Sequence, residues 1–420
     1  MLRSLFGYAL ILACSSIFGR GSDWRDKNSW RPAAYGILFQ VVLISVLMNF
    51  PICISGIERV ASGIMKLKDA TVEGTKFVFG YLGGDELPFD VLDGRSPFVF
   101  ALQALPTVIL VGALSAILTY LKILPVIAKV IGRAFKAVFN VDEAVGIVTA
   151  AKIFVGQIEA PLLVKHKLAS FREKDIFIIL ALAFATTSAS VMPIYAGALE
   201  GVCHGAMKHI LTSSVVSVIS VHIVCSLMMR GGSTGNGGLV SDHEHDAPYS
   251  SFMGAMSKGL SDGAFVWWCI VGSLIGTVAL IAFTNYLLAL FPDVGGQSIT
   301  LQRIFGVCMY PFAWLLDVSS RDTMSVSQIL GAKTAVNELV AFFDLAKSGV
   351  EPKSIVKTIY AINNFGNFAC IGITVGGISA IAPSQKCISS LAWKAFFAGL
   401  LATGLTAMIM SAFLDFLEIV

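Results

Sequence analysis

Long apolar segments alternate with short polar and charged segments along the whole chain of 420 residues. All but the first of these apolar segments have 20 residues or more, and about 20 is the length that an α-helix needs to cross the hydrocarbon core of a bilayer. Hydropathy predicts eight such helices along this sequence. Their predicted limits are Leu5–Phe18, Ala33–Ile57, Phe98–Leu121, Ile176–Ala198, His209–Met229, Phe265–Leu290, Ile355–Ile381 and Leu391–Phe416. The pattern therefore predicts an all-α integral membrane protein.

Two further apolar segments do not fit as spans. Val141–Val164 begins and ends beside basic residues on one side of the membrane, and Ser319–Ala346 lies between the sixth and seventh spans. Each segment must therefore enter and leave the membrane on the same face. Such a re-entrant hairpin is tolerated at membrane depth only where protein or a water-filled cavity surrounds it. The sequence predicts two re-entrant hairpins in addition to the eight spans.

Positive charge predicts the orientation of the chain. Basic residues cluster after the first span, after the third span and before the fourth. These residues are Arg20, Arg25, Lys27, Arg31, Lys122, Lys129, Arg133, Lys136, Lys165, Lys167, Arg172 and Lys174. The positive-inside rule places them in the cytoplasm, so both termini are predicted outside, as is the loop 58–95. Lys347, Lys353 and Lys357 fall on the outer side and are an exception to the rule. Met1–Ser22 also resembles a signal peptide, but the next span follows almost at once, which favours a transmembrane helix.

Composition agrees with a membrane protein. Hydrophobic residues make up 56% of the chain and charged residues only 14%, whereas soluble domains carry about 25% charged residues. The mean hydropathy is +0.79. A formal net charge of +3 gives no indication of nucleic-acid binding. The eight cysteines are scattered without metal-binding or disulfide spacing, which predicts small buried thiols.

The two halves of the chain share an order of elements. In each half a span is followed by an amphipathic segment, a hairpin and two further spans. Ala-Lys precedes Gln157 and Glu159 in the first hairpin, and Ala-Lys precedes Asn337 and Glu338 in the second. Farther along, a polar break interrupts an apolar span in each half, ATTSAS at 185–190 and NNFGNFAC at 363–370.

Because the hairpins enter from opposite faces, the repeats are predicted to be inverted. Inverted repeats with hairpins and interrupted helices are typical of secondary transporters with a site near the midplane. Chance similarity between apolar segments is the alternative. The predicted organisation is N-terminal scaffold helices with an outer loop at 1–97, a first repeat with hairpin 1 at 98–230, a polar linker at 231–260 and a second repeat with hairpin 2 at 261–420.

The first hairpin contains the sequence VGQIEAPLLV from Val155 to Val164. A half-helix that ends inside a membrane leaves unpaired backbone groups and a dipole end, which suit polar ligand atoms. Pro161 fits a helix start just past the tip, and Gln157 and Glu159 supply donors and acceptors. An intramembrane carboxylate costs at least about 2.5 kcal/mol, so it is usually functional. A glutamate that caps or bridges helices is the alternative, and a second acid at the matching place disfavours it.

Three motifs in this order and spacing resemble the concentrative nucleoside transporters: IFVGQIEAPLLV, GAKTAVNELVAF and NNFGNFACIGITVGGISAIAP. The resemblance extends from KFVFGYLGG at Lys76 to the end of the chain. It implies a homotrimer in the bacterial cytoplasmic (inner) membrane, with a scaffold domain and a mobile transport domain in each protomer. It also implies import of nucleosides of the uridine and adenosine class by symport with H⁺ or Na⁺. Nucleosides and membrane lipid are the expected partners, and neither a cofactor nor nucleic acid is expected.

The resemblance also implies a nucleobase site. Gln157 and Glu159 match residues that hydrogen-bond the base, and Val191 and Phe365 match apolar residues that pack against it. Ile158 departs from the family pattern, because a threonine or serine often stands there. One polar contact near the base is therefore missing.

Ribose contacts are implied in the second repeat. Glu338 and Asn367 match residues that bind the ribose hydroxyls. A carboxylate that accepts from vicinal hydroxyls rejects a deoxy analogue, because its acceptor is then left unpaired. Cys370 stands where a serine often meets the ribose, and a thiol is a weaker donor of nearly the same size.

The cation site shows the largest departure. Thr186, by its side chain, and Val155 and Thr187, by their carbonyl groups, match sodium ligands of the family. Lys152 occupies the place of a sodium-coordinating asparagine, and an ammonium cannot coordinate a hard cation that prefers oxygen ligands. Lys152 either extends toward the cytoplasm or places its ammonium in the site as a tethered cation. The second alternative predicts transport that does not need sodium and is driven by protons.

Transport driven by protons requires a residue that carries the proton. Glu159 and Glu338 are the leading proton carriers, because burial favours a protonated carboxyl group. His222 is the weaker candidate and is better explained as a packing residue.

GGSTG at 231–235 fits a nucleophile motif that requires a strand–turn–helix context, and it lies in a linker instead. DHEHDA at 242–247 is interpreted as a solvated loop. An intramembrane enzyme is therefore not predicted; a sodium symporter or an exchanger of the same fold is the alternative.

Overall fold

Helices make up the regular secondary structure of the described residues in the computed structural model. The structure describes residues 1–19, 30–90, 97–139, 141–153, 155–157, 159–189, 191–229, 251–293, 296 and 298–417. Within these ranges no β-strand is found. The all-α prediction is confirmed for this part of the chain.

The elements before and within the first half follow the predicted order. They are α1 (Leu2–Phe18), α2 (Arg31–Asn49), α3 (Pro51–Phe79), a 3₁₀ turn (Gly80–Gly83), α4 (Phe100–Gln103), α5 (Thr107–Tyr120), α6 (Ile123–Phe139), α7 (Glu143–Ala151), α8 (Glu159–Leu162), α9 (Lys165–Leu168), α10 (Glu173–Ala185), α11 (Met192–Ala198) and α12 (Ala206–Met228). Helices α7 and α8 form the first hairpin. Helices α10 and α11 are two pieces of the predicted fourth span.

The second half repeats this order. Its elements are α13 (Phe252–Leu288), α14 (Leu301–Leu315), α15 (Thr323–Ala335), α16 (Glu338–Lys347), α17 (Pro352–Ile362), α18 (Phe368–Ile381) and α19 (Cys387–Phe416). Helices α15 and α16 form the second hairpin, and α17 and α18 are two pieces of the predicted seventh span. Both halves therefore contain an amphipathic helix, a hairpin and a broken helix pair in the same order along the chain.

Five segments of the described chain are long and apolar enough to cross a membrane: α2, α4 with α5, α12, α13 and α19. Helices α1 and α18 are apolar but shorter. The other predicted spans coincide with the broken pairs, in which neither piece alone reaches that length. The described helices therefore agree with a polytopic membrane protein, and the count of eight spans stays a prediction.

The prediction for the second span and the following loop was wrong. The span ends at Asn49 rather than at Ile57, because Pro51 forces Phe50 into an extended conformation. Pro51 then begins a new helix, as proline does at a first helical position. Helix α3 continues through most of the predicted outer loop, to Phe79. A hydropathy window does not detect α3, because the polar residues of this helix lower the mean hydropathy.

The predicted linker 231–260 also needs correction. Helix α13 begins at Phe252, and the Ser251 hydroxyl caps it by accepting from the backbone N–H of Gly254 at 3.0 Å. The end of the linker is therefore helical. The two polar motifs at 231–235 and 242–247 lie outside the described residues.

Helices α10, α12 and α19 form the centre of the protein. All residues of α10 from Asp175 to Ala185 are buried, as are nearly all residues of α12. Helices that are apolar all round occupy such central positions. Helices α1 and α2 pack against α12, and α1 also packs against α19. The two N-terminal helices therefore belong to the central bundle, while α5 and α13 pack against each other. Which bundle forms an immobile scaffold stays a prediction.

Glycines bring the amphipathic helix of each half against its hairpin. A Cβ atom on Gly146 of α7 would lie 2.5 Å from the carbonyl oxygen of Gly132 on α6. In the second half, a Cβ atom on Gly331 of α15 would lie 2.5 Å from the backbone nitrogen of Gly306 on α14. Only glycine allows either approach. The two halves therefore hold their hairpins by the same backbone contact.

Two of the three basic residues that contradicted the positive-inside rule, Lys353 and Lys357, have structural partners. Lys357 is 2% exposed, and its Nζ donates to the carbonyl oxygen of Asp317 at 2.6 Å. It also pairs with Asp415 Oδ1 at 2.8 Å, and Lys353 pairs with the same carboxylate at 3.4 Å. Lys357 therefore connects α17 to α19 inside the protein, and it is not a free charge at the membrane surface.

The cysteines are only partly as predicted. Among the described residues, Cys225 and Cys370 are buried, and both thiols are free. Cys308 on α14 is also free, but it is exposed. The prediction of buried thiols therefore holds for some of the cysteines and not for all.

Candidate functional site

The two broken helix pairs meet at their breaks. Helix α10 ends at Ala185 and α17 ends at Ile362, and each is followed by an irregular segment. The Thr187 hydroxyl donates to Asn363 Oδ1 at 3.0 Å, and Asn363 Nδ2 donates to the carbonyl oxygen of Ile210 at 2.8 Å. These contacts join both breaks to each other and to α12.

Glu338 lies where two half-helices begin. It is the first residue of α16, and it is 7% exposed. Its Oε1 accepts from the Tyr195 hydroxyl at 2.8 Å, and its Oε2 accepts from Asn367 Nδ2 at 2.9 Å. Asn367 caps α18 by accepting from the backbone N–H of Cys370 at 3.0 Å. The carboxylate therefore faces the N-terminal ends of two helices.

Helix α18 brings the two hairpins together. Gln157 Oε1 in the first hairpin accepts from the Thr374 hydroxyl at 3.3 Å. Asn367, Cys370 and Thr374 have the spacing of one helix face. Glu338 of the second hairpin contacts the same face through Asn367. Predicted base and ribose residues thus line a single surface.

The remaining predicted base residues are placed as follows. Val191 is buried and precedes α11, and Phe365 is half-buried in the second break. Glu159 is the first residue of α8. Ile158 lies outside the described residues. Val191 therefore lies at the first break, and Phe365 lies at the second.

Lys152 points into the protein. It follows α7, it is 1% exposed, and its Nζ lies 5.3 Å from the centre of the Phe365 ring. This position contradicts the alternative in which its side chain extends to the cytoplasm. An ammonium near an aromatic face gains a cation–π interaction.

The positions that match sodium ligands are all buried: Val155, Thr186 and Thr187. The Thr186 hydroxyl donates to the carbonyl oxygen of Leu182 at 2.8 Å, so it completes the last turn of α10. Thr187 donates its hydroxyl to the second break. These oxygens can still accept. Lys152 holds the fourth position of the set, and its ammonium supplies no oxygen ligand.

His222 occupies a different place. Its Nε2 lies 2.9 Å from the Thr149 hydroxyl oxygen, and its ring stacks on Phe139 with centroids 4.8 Å apart. Thr149 donates to the carbonyl oxygen of Val145, so the histidine is the donor to Thr149. These contacts support the interpretation of His222 as a packing residue between α12 and the first hairpin.

Three residues of the site were not predicted from the sequence: Tyr195, Thr374 and Lys333. Tyr195 follows Val191 by one helical turn, and Thr374 follows Asn367 by two turns. Helical spacing from a predicted residue was therefore the available signal. Lys333 was part of the repeated Ala-Lys pair, but the pattern gave it no role.

Comparisons with known protein families identify the chain. The model described as Na⁺ dependent nucleoside transporter C-terminus matches residues 209–411, and the model described as its N-terminus matches residues 6–82. A model described as nucleoside recognition matches residues 101–201. The chain belongs to the concentrative nucleoside transporter family. The two terminal models of this family together cover more than half of the sequence.

Two bacterial relatives match over nearly their whole length. An uncharacterized transporter of Haemophilus influenzae is 29% identical over 427 residues, covering 99% of this chain and 98% of the relative. The nucleoside permease NupC of Helicobacter pylori is 27% identical over 428 residues, covering 98% of both chains. The family identification thus extends over the whole sequence.

Solved structures share the fold. CNTnw in an inward-facing, substrate-bound state superposes with a TM-score of 0.87 at 28% identity, covering 99% of this chain and 98% of that one. A variant of CNTnw in an intermediate state has a TM-score of 0.86 at 27% identity and covers 99% of each chain. The architecture described above is therefore that of a concentrative nucleoside transporter.

Proposed function

We propose that the protein imports nucleosides across the bacterial cytoplasmic membrane by cation symport. The observation that carries the proposal is the Glu338 carboxylate between Tyr195 and Asn367, at the start of two half-helices. An acceptor pair beside an amide suits the vicinal hydroxyls of ribose, which both donate and accept. The membership of the chain in a nucleoside transporter family supports the same substrate.

Substrate binding in this proposal exchanges hydrogen bonds at the Glu338 carboxylate. Ribose hydroxyls donate to Glu338 and accept from Asn367, so each hydroxyl binds beside the present donors or replaces one of them. A 2′-deoxy substrate leaves one carboxylate oxygen without that donor. A site that hydrogen-bonds a hydroxyl rejects the analogue that lacks it. We therefore assign selection of ribose to the second hairpin and α18.

The base is assigned to the first hairpin and the two breaks. Gln157 is fixed by Thr374 on the face of α18 that also presents Asn367. Phe365 offers a half-buried ring for stacking, and Val191 offers an apolar contact. Glu159 and Ile158 stay proposed base residues by their place in the hairpin. Cys370 is proposed beside the ribose.

Substitution of Ile158 by Thr is expected to change the ratio of uridine to adenosine uptake. The change adds a hydroxyl next to Gln157, and the two bases present different donors and acceptors to it. Initial uptake rates of both nucleosides in the same vesicles measure the ratio. Ile158→Val, which keeps the site apolar, is the control. An unchanged ratio in correctly folded Ile158→Thr would place Ile158 away from the base.

We further propose that transport does not need sodium and is driven by protons. The family models are described as Na⁺ dependent, and this chain departs from that chemistry at Lys152. Two unit charges a few ångströms apart repel by about 4 kcal/mol at an effective dielectric constant near 20. Since about 1.4 kcal/mol is tenfold in a binding constant, sodium occupancy falls on the order of a thousandfold.

The proton carrier is proposed to be a carboxyl group whose surroundings change between inward and outward states. Glu338 and Glu159, the acids at the starts of α16 and α8, are the candidates. A sodium symporter in which Lys152 is neutral or displaced is the second candidate function. An exchanger of the same fold is the third.

The membrane arrangement is part of the proposal. We infer eight spans and two hairpins in inverted repeats, with both termini outside. We also infer a homotrimer, the assembly that the resemblance to the family implies. Helix α13 exposes large apolar side chains along its length, among them Phe265, Trp268, Ile275 and Tyr286. Exposed apolar area of this kind meets lipid or another subunit. The mass of the purified protein in detergent, corrected for bound detergent, tests the subunit number.

Equilibrium binding to the purified protein tests the substrate directly. We expect uridine and adenosine to bind, and 2′-deoxyuridine to bind more weakly by a factor of about a hundred or more, because its missing hydroxyl leaves an acceptor unpaired. Free ribose and uracil are the controls, since each offers only one half of the contacts. Equal affinity for uridine and 2′-deoxyuridine would remove Glu338 from the site.

A further inference from the structure

Lys333 is a buried cation at the break between α17 and α18. It lies in the last turn of α15 and is 3% exposed. Its Nζ donates to Asn364 Oδ1 at 2.5 Å and to the carbonyl oxygen of Gly366 at 2.6 Å. Both acceptors belong to the NNFGN segment that separates the two half-helices. The second hairpin is thus joined to the break by two charge-assisted hydrogen bonds.

The helix dipoles explain why a cation is stable there. Helix α17 presents its negative C-terminal end at Ile362, close to the lysine's acceptors, while α16 and α18 present their positive N-terminal ends at Glu338 and Asn367. The ammonium faces the negative end and the carboxylate faces the positive ends. Lys333 and Glu338 also interact electrostatically. The two acceptors and the nearby carboxylate offset much of the desolvation cost of the buried ammonium.

The break is tightly built around this ammonium. Asn364 Oδ1 also accepts from the backbone N–H of Gly366 at 2.9 Å, and Asn364 Nδ2 donates to the carbonyl oxygen of Ala361 at 3.0 Å. A Cβ atom on Gly366 would lie 3.2 Å from Lys333 Nζ and 2.9 Å from a methyl carbon of Leu400. The position of Gly366 is therefore fixed from both sides. Its sequence neighbours are the proposed base-stacking ring and the proposed ribose amide.

We propose that Lys333 is a positioning residue for the nucleoside: its ammonium holds Asn364 and Gly366 so that Phe365 and Asn367 meet the substrate. The inference rests on the proposed nucleoside site. Lys152, at the matching place in the first hairpin, lies over the ring of Phe365. The two hairpins thus direct one ammonium each at adjacent residues of a single break. Lys333 organises the backbone of the break, and Lys152 contacts its aromatic side chain.

A matched pair of lysine substitutions tests the proposal. Lys357 is buried like Lys333 and also donates to a backbone carbonyl group and to a side chain, but it lies in the middle of α17 and contacts Asp317 and Asp415 instead of the break. Lys333→Met and Lys357→Met therefore each remove one ammonium and its hydrogen bonds at similar burial. We measure uridine affinity by calorimetry, thermal stability in detergent, and Km and Vmax for uptake. The wild-type protein is measured in the same series.

Lys333→Met is expected to weaken uridine binding by about 30-fold, the loss that corresponds to one charge-assisted hydrogen-bond network of about 2 kcal/mol. Km for uptake is expected to rise by a similar factor, with a smaller change in Vmax. Lys357→Met is expected to lower thermal stability and to leave uridine affinity within about twofold of wild type. In Lys333→Ala, added ethylammonium is expected to restore part of the uridine affinity, whereas choline is too large to enter.

Each other outcome overturns the inference. Uridine affinity within twofold in both Lys333→Met and Lys333→Gln would show that the ammonium does not position the substrate. An equal loss of affinity in Lys357→Met would show a general effect of destabilisation. Failure of both Lys333 variants to fold would make the lysine a structural residue. If the wild-type protein itself does not bind uridine, the proposed function fails first and this inference with it.

Discussion

Replacement of Glu338 by Gln is expected to abolish uridine uptake and to weaken uridine binding by more than about a hundredfold. The carboxylate now accepts from the Tyr195 hydroxyl on one oxygen and from Asn367 Nδ2 on the other. Glutamine has one oxygen and one NH₂ group, so an NH₂ group must face one of these donors. The ribose hydroxyls then lose an acceptor as well. The measurement is uridine binding to the purified variant, followed by uptake in vesicles.

Three comparisons make the Glu338 result specific. Glu351→Gln, at an exposed position before α17, is expected to bind uridine as the wild type does. Asn367→Ala is expected to lose binding as Glu338→Gln does, because it removes the amide from the same pair. Tyr195→Phe is expected to keep binding, since the carboxylate loses one donor and gains a free lone pair for ribose. Wild-type uptake by both Glu338→Gln and Asn367→Ala would show that ribose binds elsewhere.

Replacement of Lys152 by Asn is expected to make uridine uptake respond to sodium. The change replaces the buried ammonium over the Phe365 ring by an amide oxygen. Val155, Thr186 and Thr187 are the other oxygen ligands that the resemblance to the family implies. Removing a repulsion of about 4 kcal/mol is worth on the order of a thousandfold in sodium affinity. Uptake in sodium and in choline buffers at fixed pH measures the effect.

The wild type and a surface variant serve as controls for this result. Lys136→Asn removes a lysine whose side chain is 55% exposed on α6, and it is expected to behave as the wild type does in both buffers. If the Lys152→Asn protein binds uridine but takes it up at equal rates in sodium and in choline buffers, the ligand positions do not form a sodium site. Sodium stimulation of the wild type would remove the proposed role of Lys152.

Much of the fold follows from the hydrophobic pattern because a membrane imposes a simple rule. An uninterrupted apolar segment of sufficient length forms a helix, and a polar break within one interrupts it. The breaks at 185–190 and 363–370 separate helices as predicted, and the two hairpin segments each contain a helix pair. Helix α3 was missed because its polar residues hide a helix from an average over hydropathy. The start of α13 was missed for the same reason, since it lies beyond the apolar window.

The site could be predicted only where a motif carried it. Glu338 and Asn367 were assigned by resemblance, and the structure brings them into direct contact. Their distance in the chain gives no sign of that contact, because it depends on how the second hairpin packs on α18. Tyr195 reaches the same carboxylate from the other repeat, and no pattern within its own segment indicates a polar role. Lys333 was visible as a repeated lysine, but its acceptors are defined only once the break is folded.

Uptake of labelled uridine into proteoliposomes tests the central claim most directly. Vesicles without sodium on either side receive an inward proton gradient, and the same vesicles without a gradient serve as the control. We predict accumulation of uridine above its equilibrium level, loss of accumulation when a protonophore dissipates the gradient, and competition by adenosine. Accumulation that requires an inward sodium gradient and ignores the proton gradient would contradict the account.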